Sequence, residues 1–145
     1  MVSGFGLFQY VPAGKADFKT KGSAIVNADC MLHSVMPHMH LLGKTVKVTM
    51  QAPDSEEETL VQIDDWDYNW QETYWFKNPI KVEKGARFDI EAIYDNSDKN
   101  PNNPSSPPKR VVVGEQTTNE MLFGFLGLTP TNGPVQMRMV PPPAK

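Results

Sequence analysis

No stretch of this sequence keeps its apolar residues at the spacing of an amphipathic helix for long. Short runs of alternating apolar and polar residues recur instead, and 13 prolines and 10 glycines punctuate the 145 residues. Alternation sends successive side chains to opposite faces of a pleated strand, whereas Pro and Gly set turn dihedrals and interrupt helices. The pattern predicts an all-β domain built as an antiparallel β-sandwich. The length fits one domain over residues 1–145, large enough to bury a core without staples.

Read along the chain, strands are expected over 5–11 ("FGLFQYV"), 23–36 ("SAIVNADCMLHSVM"), 38–51 and 60–66 ("LVQIDDW"). An aromatic strand, the turn "KNP", a short strand, the turn "EKG" and the alternating strand "ARFDIEAIY" follow. After Lys109 come a short strand, the polar turn "GEQTTN" and a final apolar strand starting near Met121. The segments "PAGKADFKTKG" and "APDSEEET" read as polar connections, the glutamates of the second as a solvated loop rather than a catalytic cluster. Residues 95–108 are a long loop, since Pro, Asn and Ser dominate there. The core is expected over about 5–129, with a Pro-rich tail at 130–145 whose end, "VPPPAK", frays. Trp66, Trp70, Tyr74 and Trp75 are read as core aromatics in preference to a sugar-stacking platform.

The net charge of −3 comes from mixed charges without a basic stripe, which argues against nucleic acid as a partner. No apolar run approaches a membrane span, and "MVSGFGLFQY" lacks the basic start and long apolar centre of a signal peptide. A single cysteine, Cys30, excludes an internal disulfide. It reads as a small buried apolar filler, with metal ligation as the alternative.

Chemistry concentrates in "MPHMHLLGKTVKV", where His38 and His40 stand two apart at the head of an alternating stretch. On one strand such a pair projects in parallel, close enough to grip one ion, although surface pairs of this kind also occur without function. Met121 heads a later strand that a sandwich could bring opposite. Two imidazoles with one thioether suit copper, because soft sulfur favours Cu(I) and imidazole holds either oxidation state; zinc ordinarily avoids methionine. His33 is a further candidate ligand, on the opposite face of an unbroken strand unless a bulge near Pro37 changes the parity. Met31, Met36 and Met39 could form a Cu(I) trap but read better as core. Asp95, Asp98 and Asn100 have calcium-loop spacing without the turn glycine, the closing glutamate or flanking helices of an EF-hand.

"HMHLLGK" followed by "GEQTTNEM", with "DWDYNWQETY" and "YDNSDKNPNNPSSPPK" between them, resembles the C-terminal domain of the copper type II, ascorbate-dependent monooxygenases, in their bacterial form. The resemblance runs from about residue 9 to residue 129. It implies an antiparallel jelly-roll sandwich of about eight to nine strands and one copper per chain, held by His38, His40 and Met121, where dioxygen binds and a substrate C–H bond is hydroxylated. It also implies a second copper, on three histidines of a separate preceding domain, that relays electrons from ascorbate. This chain has three histidines in all, and two are committed to the His38/His40 pair, so an independent three-histidine site cannot be assembled from what remains. The peptide-amidating members clamp a substrate carboxylate with an arginine, an asparagine and a tyrosine; the matching positions here are Met36, Phe123 and Phe125. Burying a carboxylate against these side chains without a partner is costly, so a small or apolar substrate is expected. Leu122 stands where the animal enzymes have a cysteine.

The expected function is therefore a mononuclear oxygen-activating copper domain, with Glu115, Gln116 or Glu120 supporting the ligands from behind. The alternative is a non-catalytic copper module for storage, delivery or scaffolding, which needs only the ligands. A structural domain with a vestigial pair is a third reading, against which the intact Met121 argues. The family resemblance carries an expectation of a periplasmic or secreted setting.

Overall fold

The computed structural model describes residues 2–5, by backbone, and 10–144. The strands are β1 (Val2–Phe5), β2 (Tyr10–Val11), β3 (Phe18–Val26), β4 (Cys30–Met39), β5 (Gly43–Gln51) and β6 (Glu57–Ile63). They continue with β7 (Tyr74–Val82), β8 (Arg87–Tyr94), β9 (Val111–Val112), β10 (Leu122–Pro130) and β11 (Met137–Val140). No helix occurs among the described residues, so none there is long and apolar enough to cross a membrane. A four-stranded sheet runs β1-β10-β4-β7, a five-stranded sheet runs β11-β3-β8-β5-β6, and β2 pairs with β9. Every strand pairing is antiparallel; one isolated parallel bridge joins Val113 to Glu120.

Alternation explains which faces are buried. In β8, Phe88, Ile90, Ala92 and Tyr94 point into the core while Arg87 and Glu91 point out. In β10, Leu122, Leu126 and Leu128 are buried and Phe123 and Phe125 lie on the other face, half-buried. Both sheets feed one hydrophobic cluster, to which β4 adds Leu32, Val35 and Met39. Cys30 is buried there as a free thiol, and burial, then the charge of Asp29, raises its pKa.

Several expected boundaries move. The run 23–36 is two strands, because Asn27 and Asp29 turn the chain: Asn27 Oδ1 accepts the Gln136 N–H and Asp29 Oδ1 accepts the Lys84 N–H. Half of the polar segment 12–22 is strand, since Phe18–Val26 pairs with β8 along its length and the lysines merely face out. The metal-bearing segment 38–51 is broken as well: β4 ends at Met39, His40 begins a turn closed by the Gly43 N–H on its carbonyl, and β5 starts at Gly43. His38 therefore sits at the end of one strand, not at the head of the next. Glu57 and Glu58 open β6, and the turn before it is tight, with Asp54 at φ 58°. "KNP" is no turn between strands but part of β7, within a stretch that bulges where the pairing slips between Leu32 and Ser34.

Trp66 is core, but Trp70 and Trp75 are 68% and 73% exposed, which corrects their reading as core. Trp75 faces out from β7 and Trp70 lies in the preceding loop. Beyond residue 129, β11 pairs with β3 and extends the five-stranded sheet. Of the strand expected over 5–11, residues 6–9 lie outside the described residues. The loop 95–108 holds no strand, and its fully buried Asn96 donates from Nδ2 to the Pro12 and Lys109 carbonyls.

Candidate metal centre

The end of β4 and the start of β10 lie side by side, with Met39 opposite Leu122 and His38 opposite Phe123. Partners in an antiparallel ladder project from the same face. Met39 and Leu122 go into the core, and His38, Phe123, Met36 and Phe125 go to the outer face of the four-stranded sheet. His40 follows His38 by two, and the imidazoles meet edge to face with centroids 5.1 Å apart. Met121 precedes β10 by one residue, and Glu120 Oε1 accepts the backbone N–H of both His40 (2.5 Å) and Met121 (3.1 Å). One carboxylate oxygen thus holds the two chain segments together.

Each ring has one nitrogen engaged. His38 Nδ1 lies 2.6 Å from Gln71 Oε1, and His40 Nδ1 lies 3.1 Å from the Asn119 carbonyl. Both partners are acceptors, so each Nδ1 carries the proton and each Nε2 keeps its lone pair. Burial lowers the His38 pKa, the Gln71 hydrogen bond raises it somewhat and the neighbouring His40 lowers it, leaving the neutral ligand form favoured.

The spacing is compatible with a shared ion, and equally with an ordinary edge-to-face ring pair. With a metal–nitrogen bond of about 2.0 Å and the ring centroid about 1.2 Å further on, two imidazoles meeting at a tetrahedral angle have centroids about 5.2 Å apart. Among the described residues no group of three or more His, Cys, Asp or Glu gathers. Met121 stands half-buried on the adjoining segment, one residue before β10.

Glu120 is completely buried, and its Oε2 accepts the Leu42 N–H at 3.0 Å. Burial raises its pKa to about 7, against the lowering effect of the three amide hydrogen bonds. Tyr94 donates from its hydroxyl to the Met121 carbonyl at 2.5 Å, and burial, then the Glu120 charge, pushes its own pKa well up. Trp66 Nε1 donates to the His40 carbonyl at 3.1 Å, and Tyr68 packs edge-on against the His40 ring at 5.9 Å. The loop 64–73 thereby covers His40, which is only 4% exposed, while His38 stays half-buried.

The other nominated residues lie elsewhere. Glu115 and Gln116 are exposed in the turn before Glu120. The Gln116 backbone exchanges hydrogen bonds with Asn119 and so steadies the carbonyl that accepts from His40. His33 sits where β4 bulges, and the bulge is here rather than at Pro37. Its Nε2 is 2.7 Å from Thr129 Oγ1, and five residues of strand put it well over 10 Å from His38 along the chain direction. Of the methionines, Met39 is wholly buried whereas Met31 and Met36 are half-buried. In the 95–108 loop, Asp95 and Asn100 side chains accept the N–H groups of Ser97 and Asn102 and serve as turn caps.

The sequence does not single out Gln71, Asn119, Trp66 or Tyr94 as site residues. Their contacts to the ligand segments span 33, 79, 26 and 27 residues, so no local spacing announces them. Beside His38 the outer face carries a pocket of about 300 Å³ lined by Ser34, Met36, Thr73, Phe125 and Gly127. The Phe125 ring lies 6.4 Å from His38 and stacks on Phe123 at 5.6 Å.

Two curated proteins are similar to this chain: DBH-like monooxygenase protein 1 of Mus musculus, 24% identical over 136 residues, and its Homo sapiens counterpart, 24% identical over 133. Each match takes in 83% of this chain and 20% of the relative, so the chain spans about a fifth of their length. Residues 4–130, which include both histidines, Met121 and the pocket beside them, match the copper type II ascorbate-dependent monooxygenase C-terminal domain, and the chain belongs to that family.

Proposed function

We propose that this chain is an oxygen-activating copper domain in which Nε2 of His38, Nε2 of His40 and the Met121 thioether hold one copper. The observation that carries the reading is the pair of imidazoles 5.1 Å apart, each with Nδ1 tied to a carbonyl oxygen. Copper bound there supplies one-electron chemistry toward dioxygen, with ascorbate as the ultimate reductant. The chain's own residues do the rest. Gln71 and Asn119 hold the ring protons on the side away from the ion, Glu120 locks the two ligand segments together, and loop 64–73 keeps water off His40.

The substrate is small and apolar. The pocket beside His38 presents Met36 and Phe125, with the Thr73 and Ser34 hydroxyls as its polar side chains and no cation in its lining. An ionised substrate group would lose its hydration there without gaining a counter-charge. A separate electron-donating domain completes a catalytic cycle, because hydroxylation needs two electrons and a single copper holds one. The shared core and the repeated crossing between sheets, at β3 to β4, β4 to β5, β6 to β7 and β7 to β8, favour the jelly-roll sandwich as the topology. The setting is periplasmic or secreted.

The test is Cu(I) titration followed by X-ray absorption on the reduced protein. One copper per chain with two nitrogen scatterers and one sulfur is expected, and a spectrum without sulfur removes Met121. Product formed per dioxygen consumed, with ascorbate and apolar reporter substrates, then separates the two functions. Slow, poorly coupled turnover is expected of the isolated chain. Copper binding with no substrate-dependent turnover, even when an electron-donor domain is added, favours the storage or delivery module.

A further inference from the structure

Loop 64–73 joins β6 to β7 and is pinned to both histidines. Trp66 donates to the His40 carbonyl, Tyr68 packs on the His40 ring, and Gln71 meets His38. The loop is also tied to β5, where the Trp66 N–H binds the Lys44 carbonyl (2.9 Å), and held from within, where the Trp70 N–H binds the Asp67 carbonyl (3.0 Å) and the Asn69 N–H the Asp67 carboxylate (2.8 Å). Gln71 is therefore presented on a braced segment.

The orientation of the Gln71 amide follows from its second contact. Gln71 Nε2 donates to the Tyr68 carbonyl at 2.9 Å, and a carbonyl can only accept. The NH₂ end is thus fixed on Tyr68, and the oxygen end faces His38 Nδ1 at 2.6 Å. An amide oxygen also only accepts, so the shared proton belongs to Nδ1. In water a neutral histidine side chain prefers its proton on Nε2, the nitrogen this site needs bare. Holding it in the other tautomer requires a partner in this position. A glutamine does so without adding a negative charge beside the ligands.

We propose that Gln71 is a positioning residue of the metal centre: with its amide locked by Tyr68, it keeps the His38 proton on Nδ1 and leaves Nε2 as a ready metal ligand. The inference rests on the copper reading for its purpose, but the tautomer it specifies exists without metal. Partners of this kind behind a ligating imidazole typically change metal affinity by about 10- to 100-fold.

The experiment uses the full chain, ¹⁵N-labelled and metal-free, at a pH where the imidazoles are neutral. Long-range ¹H–¹⁵N correlation of the rings should show the Nδ1–H form at His38 and at His40. In Gln71→Leu, His38 should shift to mainly Nε2–H while His40, held by Asn119, is unchanged and serves as the internal control. Cu(I) affinity, from competition with a colorimetric chelator, should fall about 10- to 100-fold in the variant. An Nε2–H form at His38 in the unsubstituted protein overturns the proposal, and that measurement needs no variant to fold. An unchanged His38 tautomer or an unchanged affinity in Gln71→Leu overturns it as well. A tautomer shift in a protein that takes up no copper refutes the copper reading while leaving the Gln71 hold on His38 established.

Discussion

Replacing Glu120 with alanine removes the acceptor of three backbone N–H groups at once, those of His40, Leu42 and Met121. The side chain is fully buried, so these donors lie away from bulk water. Each buried donor left unpaired costs about 1–3 kcal/mol, which gives about 3–9 kcal/mol gross. Two effects reduce that. Water entering the vacated space re-satisfies part of the loss, and the variant no longer buries a carboxylate whose ionised form is disfavoured by burial. A net loss of about 3 kcal/mol is expected. Glu120→Gln keeps one oxygen for the His40 and Met121 amides but turns an NH₂ toward the Leu42 N–H, so its cost should be about 1–2 kcal/mol. Urea unfolding of the metal-free protein at neutral pH, followed by tryptophan fluorescence, measures both. A Glu120→Ala loss under about 0.5 kcal/mol, or a Gln variant less stable than the Ala variant, would refute the view that this carboxylate joins the two ligand segments.

Gly43→Ala places a Cβ 2.7 Å from Trp66 Cδ1 and 2.8 Å from Met39 Cε, and should cost about 1–3 kcal/mol in thermal or urea unfolding, because Trp66 is tied to His40 and cannot yield freely. Met121→Leu keeps the volume and removes the sulfur; stability should change by less than about 1.5 kcal/mol while Cu(I) affinity drops at least about tenfold in chelator competition. Cys30 has its pKa raised above the ordinary 9.0, so its contribution to stability is complete below pH 9.0 and is lost as pH climbs through the raised value. Alkaline titration of unfolding should show that loss, and a thiol reagent at pH 8 should label native protein far more slowly than urea-unfolded protein.

The fold class was readable because alternation and turn chemistry are local properties. "ARFDIEAIY" shows its buried and exposed faces in the spelling, and β8 follows it almost residue for residue. The long Pro- and Asn-rich loop and the final strand after Met121 were equally plain. Boundaries failed where a distant partner decides the conformation. Lys19 and Lys21 look like loop residues until β8 pairs with them, and the turn at Asn27–Asp29 forms because Lys84 and Gln136 supply its amides. Trp70 and Trp75 were misread because an aromatic side chain is equally at home in a core and on a face, and spacing does not tell which.

What the sequence determined by itself is which candidate donors the chain carries: two imidazoles at strand spacing and a thioether far downstream beside a glutamate, with Met36, Phe123 and Phe125 at the positions that the family resemblance matches to the carboxylate clamp of the peptide-amidating members. These are matters of residue identity and short-range parity. Only the tertiary structure decided that β4 and β10 are neighbours, that Glu120 grips His40 and Met121 together, and that Gln71 and Asn119 each place an oxygen against a ring Nδ1. A hydrogen-bond partner for a ligand can come from any segment that the topology brings within about 3 Å, so its identity belongs to the packing rather than to the spacing along the chain.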